Sequence, residues 1–333
     1  MKQTRDIYFR ADGDSQIGLG HVIRSLALVD MLNQSFNCHF IIRQPSPYLQ
    51  AEIRLGCKSI ITLAENQSLE EEADYLSQHI LCGHEILVLD GYHFQTSYQE
   101  ILRQKLHKLL CIDDIHAYHF VADAVINHIG GISPKAYATE TYTQLYLGPD
   151  YALLRAPFRL AAQESVQHKP EAQAIFICLG GADPKNASLA ILKDLESCRF
   201  FPKCYLVIGS AYRHQKELNS FLAENHYMEV QLLSGLSASE MVFYMQKCER
   251  AITSPSSISY EYLSVGGRLY LYTIAENQQA VYDYLISAHF AFPYQCLFTD
   301  IRADVATLAS AASPPFDGCQ ASRFLSIFNQ LAL

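Results

Sequence analysis

No Cys-x-x-Cys pair occurs in this 333-residue chain, although it holds ten cysteines, at positions 38, 57, 82, 111, 178, 198, 204, 248, 296 and 319. The common zinc spacings are thereby excluded, and the scatter of several cysteines through apolar, strand-like text reads as the reduced thiols of a cytoplasmic protein. No Gly-Lys-Ser or Gly-Lys-Thr occurs, so there is no P-loop. Gly18-Leu19-Gly20-His21 lacks the third glycine of a dinucleotide fingerprint, which makes ATP and NAD poor candidates as cofactors and leaves none expected. Basic residues are also scarce: 25 Lys and Arg against 34 Asp and Glu leave a formal charge of -9 and a pI near 5.8. That balance argues against a nucleic-acid surface, although a few arginines and backbone amides still suffice for a small anionic ligand. No apolar run reaches membrane-spanning length, and Met1-Lys2-Gln3-Thr4-Arg5-Asp6 lacks the apolar core of a signal peptide, so no membrane insertion is expected.

What is present is a chain that is half hydrophobic and long enough for two domains. Its first half alternates strand-like and helix-like text: strand 6–10, helix 20–34, strand 37–42, strand 85–90, helix 95–106, strand 108–113. The text between 151 and 173 turns polar and is the best linker. A second series follows, with strands near 173–179, 204–209, 228–233, 250–253 and 268–273. Alternation of this kind predicts parallel sheets covered by helices. The expected architecture is α/β, with one domain at 1–155 and a second at 156–333, a cleft between them, and ligands beyond the carboxyl ends of the strands.

The most informative turn is Arg10-Ala-Asp-Gly-Asp-Ser-Gln-Ile-Gly-Leu-Gly-His21-Val-Ile-Arg24, where β-prone Ile7-Tyr8-Phe9 gives way to a helix. His21 is the first catalytic candidate. A positive helix end disfavours imidazolium and should keep this ring able to accept a proton, although a histidine after glycines is more often a cap or a packed residue. Asp12-Gly13-Asp14 matches a spaced metal-binding pair only weakly, and turn formation is the stronger reading. Asp90, in Leu89-Asp90-Gly91-Tyr92-His93, either holds substrate hydroxyls or begins a turn. Of the adjacent Asp113 and Asp114, at least one should cap the segment that follows. In the second half, Gly180-Gly181-Ala182-Asp183 is a ligand turn or a helix start with Asp183 or Asn186 as cap. Ser254-Pro255-Ser256-Ser257 offers a cradle for a diphosphate, with Glu261 placed for ribose hydroxyls or serving as helix-terminal charge. Asn277 and Gln278 either face a sugar or cap the next helix.

Together these strings resemble the PseG family of UDP-sugar hydrolases in pseudaminic acid biosynthesis and the wider SpsG-type spore-coat polysaccharide group. The likeness runs over nearly the whole chain, through the Arg10 to Arg24 run, Val88-Leu89-Asp90-Gly91-Tyr92, Ile112-Asp113-Asp114, Leu147-Gly148-Pro149-Asp150-Tyr151, Leu179-Gly180-Gly181-Ala182-Asp183-Pro184, Ser256-Ser257 with Glu261, and Ala275-Glu276-Asn277-Gln278. It implies a GT-B fold and metal-independent, inverting hydrolysis of UDP-2,4-diacetamido-2,4,6-trideoxy-β-L-altrose or a related amino-deoxy sugar at its anomeric C–O bond. By the same likeness His21 activates water, Tyr92 and Asn277 help place the sugar and the water, and Arg10, Asp12, Gly18, Gly20, Arg24, Asp90 and Gln278 contact the substrate. Gly180, Gly181, Asp183, Ser256, Ser257 and Glu261 would hold UDP. The chain departs from the family pattern at Thr253-Ser254-Pro255, where a proline removes an amide, and at Gly91, where histidine is common. Two alternatives therefore stand: a GT-B glycosyltransferase, and a nucleotide-sugar binding protein without turnover.

Overall fold

The computed structural model describes residues 5–13, 18–164, 171, 173–209, 211–302, 312 and 316–333. The chain forms two compact units, residues 1–156 with 319–333, and residues 157–318. The first contains β1 (Asp6–Ala11), α1 (Gly20–Leu32), β2 (Asn37–Arg43), α2 (Pro47–Gly56), β3 (Ser59–Leu63), α3 (Leu69–Tyr75), β4 (Ile86–Asp90), α4 (Thr96–Arg103), β5 (Lys108–Ile112), β6 (His119–Phe120), β7 (Ala124–Asn127), β8 (Ala138–Thr139) and β9 (Gln144–Leu147). Helix α5 (Ala156–Gln163) begins at the unit boundary, where the sequence suggests a linker; the polar stretch 165–170 lies outside the described residues. The second unit holds β10 (Ile175–Cys178), α6 (Ala187–Ser197), β11 (Cys204–Ile208), α7 (Gln215–Glu224), β12 (Val230–Ser234), α8 (Ala238–Gln246), β13 (Arg250–Thr253), α9 (Ser257–Val265), β14 (Arg268–Leu271), α10 (Gln279–Ser287), β15 (Phe292–Pro293) and α11 (Leu297–Asp300). The last helix, α12 (Gln320–Leu331), belongs to the first unit, so the expected second-domain range of 156–333 does not hold at its end.

Each unit is built on a parallel sheet. The first has seven strands in the order β3-β2-β1-β4-β5-β7-β9, and the second has six in the order β12-β11-β10-β13-β14-β15. Alternate residues of the central strands go to opposite faces: Ile86 and Val88 pack with α1, α2 and α12, whereas Leu87 and Leu89 pack with α3 and α4. Because both faces are covered, β4 reads as the unbroken apolar run Ile-Leu-Val-Leu rather than an alternation.

Strand order reverses direction between β1 and β4, and again between β10 and β13. Loops that leave such neighbours diverge to opposite faces and open a crevice at the carboxyl edge. The register sets Ala11 beside Asp90 in one sheet and Cys178 beside Thr253 in the other. The expected strands and the two helices at 20–34 and 95–106 appear, the helices shortened to Gly20–Leu32 and Thr96–Arg103. The stretch between 43 and 84, into which the sequence put no elements, contains α2, β3 and α3.

Candidate active site

His21, Arg24 and Ser25 lie three and four residues apart on α1, so one face of its first turns presents all three to the end of β4. There the His21 Nδ1 lies 2.7 Å from Asp90 Oδ1. Arg24 donates from Nε to Asp90 Oδ2 at 2.7 Å and from Nη2 to Oδ1 at 2.5 Å, and Ser25 Oγ donates to Oδ2 at 3.2 Å. Asp90 is wholly buried. Burial pushes its carboxyl up, but the Arg24 charge, with His21 and their hydrogen bonds, brings it down to about 2. An ionised carboxylate only accepts, so the hydrogen at 2.7 Å belongs to His21 Nδ1 and the Nε2 lone pair is left to take a proton. The sequence reading invokes only the helix end; the carboxylate is a further partner, and it fixes the tautomer.

Tyr92 meets the His21 ring edge-on, with centroids 4.8 Å apart and planes at 84°. Its hydroxyl donates to Asp114 Oδ2 at 3.2 Å, and Arg24 Nη1 donates to the same oxygen at 2.9 Å. A cavity of about 330 Å³ is lined by Asp12, His21, Asp90, Gly91, Tyr92, His93 and Gln95. Gly91 has no room for a side chain: a Cβ there would come within 2.9 Å of Phe94 and 3.0 Å of His93, whose ring takes up that space. Gly18 and Gly20 flank the start of α1, and a Cβ on either would meet nothing within 4 Å.

Three of the residues assigned to substrate have other partners. Arg10 is wholly buried, donating from Nη1 and Nη2 to Asp12 at 2.6 and 2.7 Å and from Nε to Glu72 at 2.7 Å. Arg24 is spent on Asp90 and Asp114. Asp90 is wholly buried and bonded to His21, Arg24 and Ser25. Asp12 keeps an edge on the cavity, but Arg10 holds both its oxygens and the Arg43 amide donates to one at 2.9 Å. Burial pushes its carboxyl up, but the hydrogen bonds from His93 and Arg10, the Arg10 charge and the Arg43 amide outweigh it and hold the carboxyl well below the usual range. Asp14, the other half of the metal-like pair, lies outside the described residues. 

Glu72 and His93 were not expected from the sequence. Glu72, wholly buried on α3, also accepts from Tyr98 Oη at 2.7 Å and Arg43 Nε at 2.6 Å. The legible signal near it is Ser68-x-x-Glu71, which forms a capping box at the start of α3 and places Glu71 immediately before Glu72. His93 Nε2 lies 3.6 Å from Asp12 Oδ2, and both residues also line a second cavity of about 450 Å³ with Gly13, Arg43, Gln44, Glu65 and Leu69.

In the second unit the loops after β10 and β13 are neighbours through the Cys178 and Thr253 register. Asp183 accepts from the amides of Ala187 and Ser188, both at 2.8 Å, so its carboxylate caps α6 with both oxygens; the helix-cap alternative describes it better than a UDP contact. Gly180 and Gly181 form the turn before it. Gly209, on the next loop, passes so close that a Cβ on it would lie 2.2 Å from the Gly181 carbonyl oxygen. Ser256 precedes α9 and Ser257 begins it; the Ser256 side chain makes no cap hydrogen bond to the helix, and the Ser254 and Ser256 hydroxyls are 3.2 Å apart. Glu261 is buried within α9. Gln278 Oε1 accepts from the Ile274 and Ala275 amides at 2.9 and 3.3 Å, a local turn bond, while Asn277 is exposed in the short 3₁₀ turn Glu276–Gln278. His21 and Tyr92 therefore come together in the first unit, and Asn277 and Gln278 belong to the second. A cavity of about 620 Å³ in this unit, lined by Tyr272, Tyr282, Tyr294, Phe298 and Asp194 among others, includes none of the residues expected to hold UDP.

No protein-family model matches the chain. It is 25% identical over 297 residues, 87% of this chain and 99% of the relative, to the UDP-2,4-diacetamido-2,4,6-trideoxy-beta-L-altropyranose hydrolase of Campylobacter jejuni. It is also 25% identical over 276 residues, 81% of this chain and 78% of the relative, to the spore coat polysaccharide biosynthesis protein SpsG of Bacillus subtilis. An uncharacterized protein of Methanocaldococcus jannaschii matches at 25% over 281 residues, 82% of this chain, which spans 56% of that relative's length. Among solved structures, MurG of Acinetobacter baumannii superposes with a TM-score of 0.56 at 12% identity, covering 99% of this chain and 92% of that one. A UDP-glucosyltransferase of Polygonum tinctorium gives 0.61 at 10% identity, covering 99% of each. At such identities these structures speak for the fold alone: it is GT-B, α/β with two Rossmann-like units. No described helix is long and apolar enough to cross a membrane.

Proposed function

We propose, for a chain that is PseG- and SpsG-like over most of its length and GT-B in fold, that it hydrolyses a UDP-linked amino-deoxy sugar at the anomeric C–O bond. The observation that carries this reading is the His21 and Asp90 pair, 2.7 Å apart, beside a cavity of about 330 Å³. Asp90 fixes the Nδ1–H tautomer, so Nε2 takes a proton from water as the water oxygen bonds to the anomeric carbon. The C–O bond to the diphosphate breaks on the opposite face, UDP departs with that electron pair, and the configuration inverts. Asp90 offsets the charge on the imidazolium, which then gives its proton to solvent. Tyr92 and Asn277 help place the sugar and the water. UDP is already a good leaving group and needs charge stabilisation more than a strong acid. The amides at Gly180, Gly181, Ser256 and Ser257 offer that stabilisation, with Glu261 for the ribose hydroxyls.

The test is turnover of candidate UDP-sugars in ¹⁸O-labelled water. Label is expected in the released sugar and not in UDP, and His21→Asn is expected to lower kcat by about 10²- to 10⁴-fold. Label in UDP overturns attack at the anomeric carbon, and undiminished turnover in His21→Asn removes the base. A second reading, a glycosyltransferase with His21 deprotonating an acceptor hydroxyl, is favoured by the cavity of about 450 Å³ that shares Asp12 and His93 with the His21 cavity. UDP release that requires an added acceptor would select it.

A further inference from the structure

Five side chains close a ring of contacts at the carboxyl edge of the first sheet. His21 meets Asp90, Asp90 accepts from Arg24, Arg24 donates to Asp114, Asp114 accepts from the Tyr92 hydroxyl, and the Tyr92 ring returns edge-on to His21. Asp114 is the member without an assigned task. Its neighbour Asp113 does the capping, accepting from the His116 amide and the Tyr137 hydroxyl, both at 2.8 Å. Asp114 points the other way and gives one oxygen to both Arg24 and Tyr92. Its other oxygen is buried and accepts from no group among the described residues.

The Arg24 guanidinium lies against two carboxylates, those of Asp90 and Asp114, and so neutralises one of the two. Burial raises the carboxyl of Asp114, but Arg24 holds it below its ordinary value, so both acids are ionised near neutrality. His128, behind Arg24, is pushed down to about 4, by burial first and then by the Arg24 charge, and adds no charge there. Among the described residues, the other ionisable groups lining the His21 cavity are Asp12 after β1 and Tyr92 and His93 after β4. The Asp90, Arg24 and Asp114 cluster is one negative charge in excess, and a proton arriving on His21 cancels it.

We infer that Asp114 is a positioning residue for His21: through Arg24 it supplies the excess negative charge that favours the ring's protonation, and through the Tyr92 hydroxyl it holds the phenol against the imidazole. This rests on the reading of His21 as the base. Asp114→Asn keeps the shape and removes the charge. It is expected to lower kcat about 10- to 100-fold with KM within about threefold. Because a base flanked by less negative charge loses its proton more readily, the acid limb of the kcat/KM profile should move to lower pH. A third readout does not need turnover: the hydrogen-bonded Nδ1 proton of His21, assigned by its disappearance in His21→Asn, should shift upfield in the proton NMR spectrum of Asp114→Asn. An unchanged kcat, profile and resonance in a variant with the parent's melting temperature overturns the inference, as does a rise confined to KM. Where the parent turns over no UDP-sugar, the hydrolase reading fails and the resonance alone decides: a shift upholds the link from Asp114 to His21, and no shift overturns it.

Discussion

Asp90, at the end of β4, is tied to three side chains of α1. At the end of an apolar strand it invites a role toward solvent, yet it is wholly buried, and its oxygens serve His21, Arg24 and Ser25. Asp90→Asn should cost activity and stability together. The amide no longer demands the Nδ1–H tautomer, and turnover should fall on the order of 10³- to 10⁴-fold. Arg24 then keeps only Asp114 as an anionic partner, a loss of about 3 kcal/mol measurable by urea unfolding. His128 gives a prediction of a different kind. Its folded value near 4 lies below the ordinary 6.5, so the unfolded chain binds a proton that the folded chain refuses as pH falls from 6.5 to 4. Its contribution is complete above pH 6.5, is lost across that window, and amounts to a few kcal/mol at most, on the order of 3. His128→Gln should flatten that part of the pH dependence in urea titrations; parallel slopes in parent and variant would rule the residue out.

At the scale of elements, the strands that read as unbroken apolar runs were legible because both faces of a parallel sheet are covered, so burial leaves no alternation to misread. Helix α3 was missed because its pattern is short and rich in Glu, and because Glu72 sits where a charge is not expected. Only the packing of α3 against the sheet explains it, by bringing Arg10, Arg43 and Tyr98 to one carboxylate. Asp183 was legible in both of its readings, and the two amides of α6 show it as a cap. Asp183→Ala is expected to lower stability by about 1 to 2 kcal/mol by thermal or urea unfolding, as the loss of a helix cap does. A variant as stable as the parent that has lost UDP affinity would instead return the carboxylate to the ligand.

For the whole molecule, α12 is the clearest departure from expectation. It lies beyond the second series of strands in sequence but packs in the first unit, where Phe324, Ile327, Phe328 and Leu331 are buried. Phe328, 6.2 Å from Phe36 between ring centroids, should cost about 3 to 5 kcal/mol when replaced by Ala. Differential scanning calorimetry should show that loss in the transition of the first unit alone. A shift in the transition of the second unit would contradict the assignment of α12.

The amino-acid order by itself determined the α/β class, most of the strands, and the turn that carries His21, since these depend on local periodicity and on glycine and proline placement. It also picked out Asp90, Arg24 and Tyr92 as residues of interest. The order of strands in the sheets decided which partners those residues meet. Placing β4 beside β1 sets a buried carboxylate against an imidazole from a different segment, 69 positions away, and no local pattern records which side chains meet across a sheet edge. The same holds for the partners of Arg10 and for the home of α12, because long-range pairing is settled by which buried charges and apolar faces find complements once the whole chain is folded.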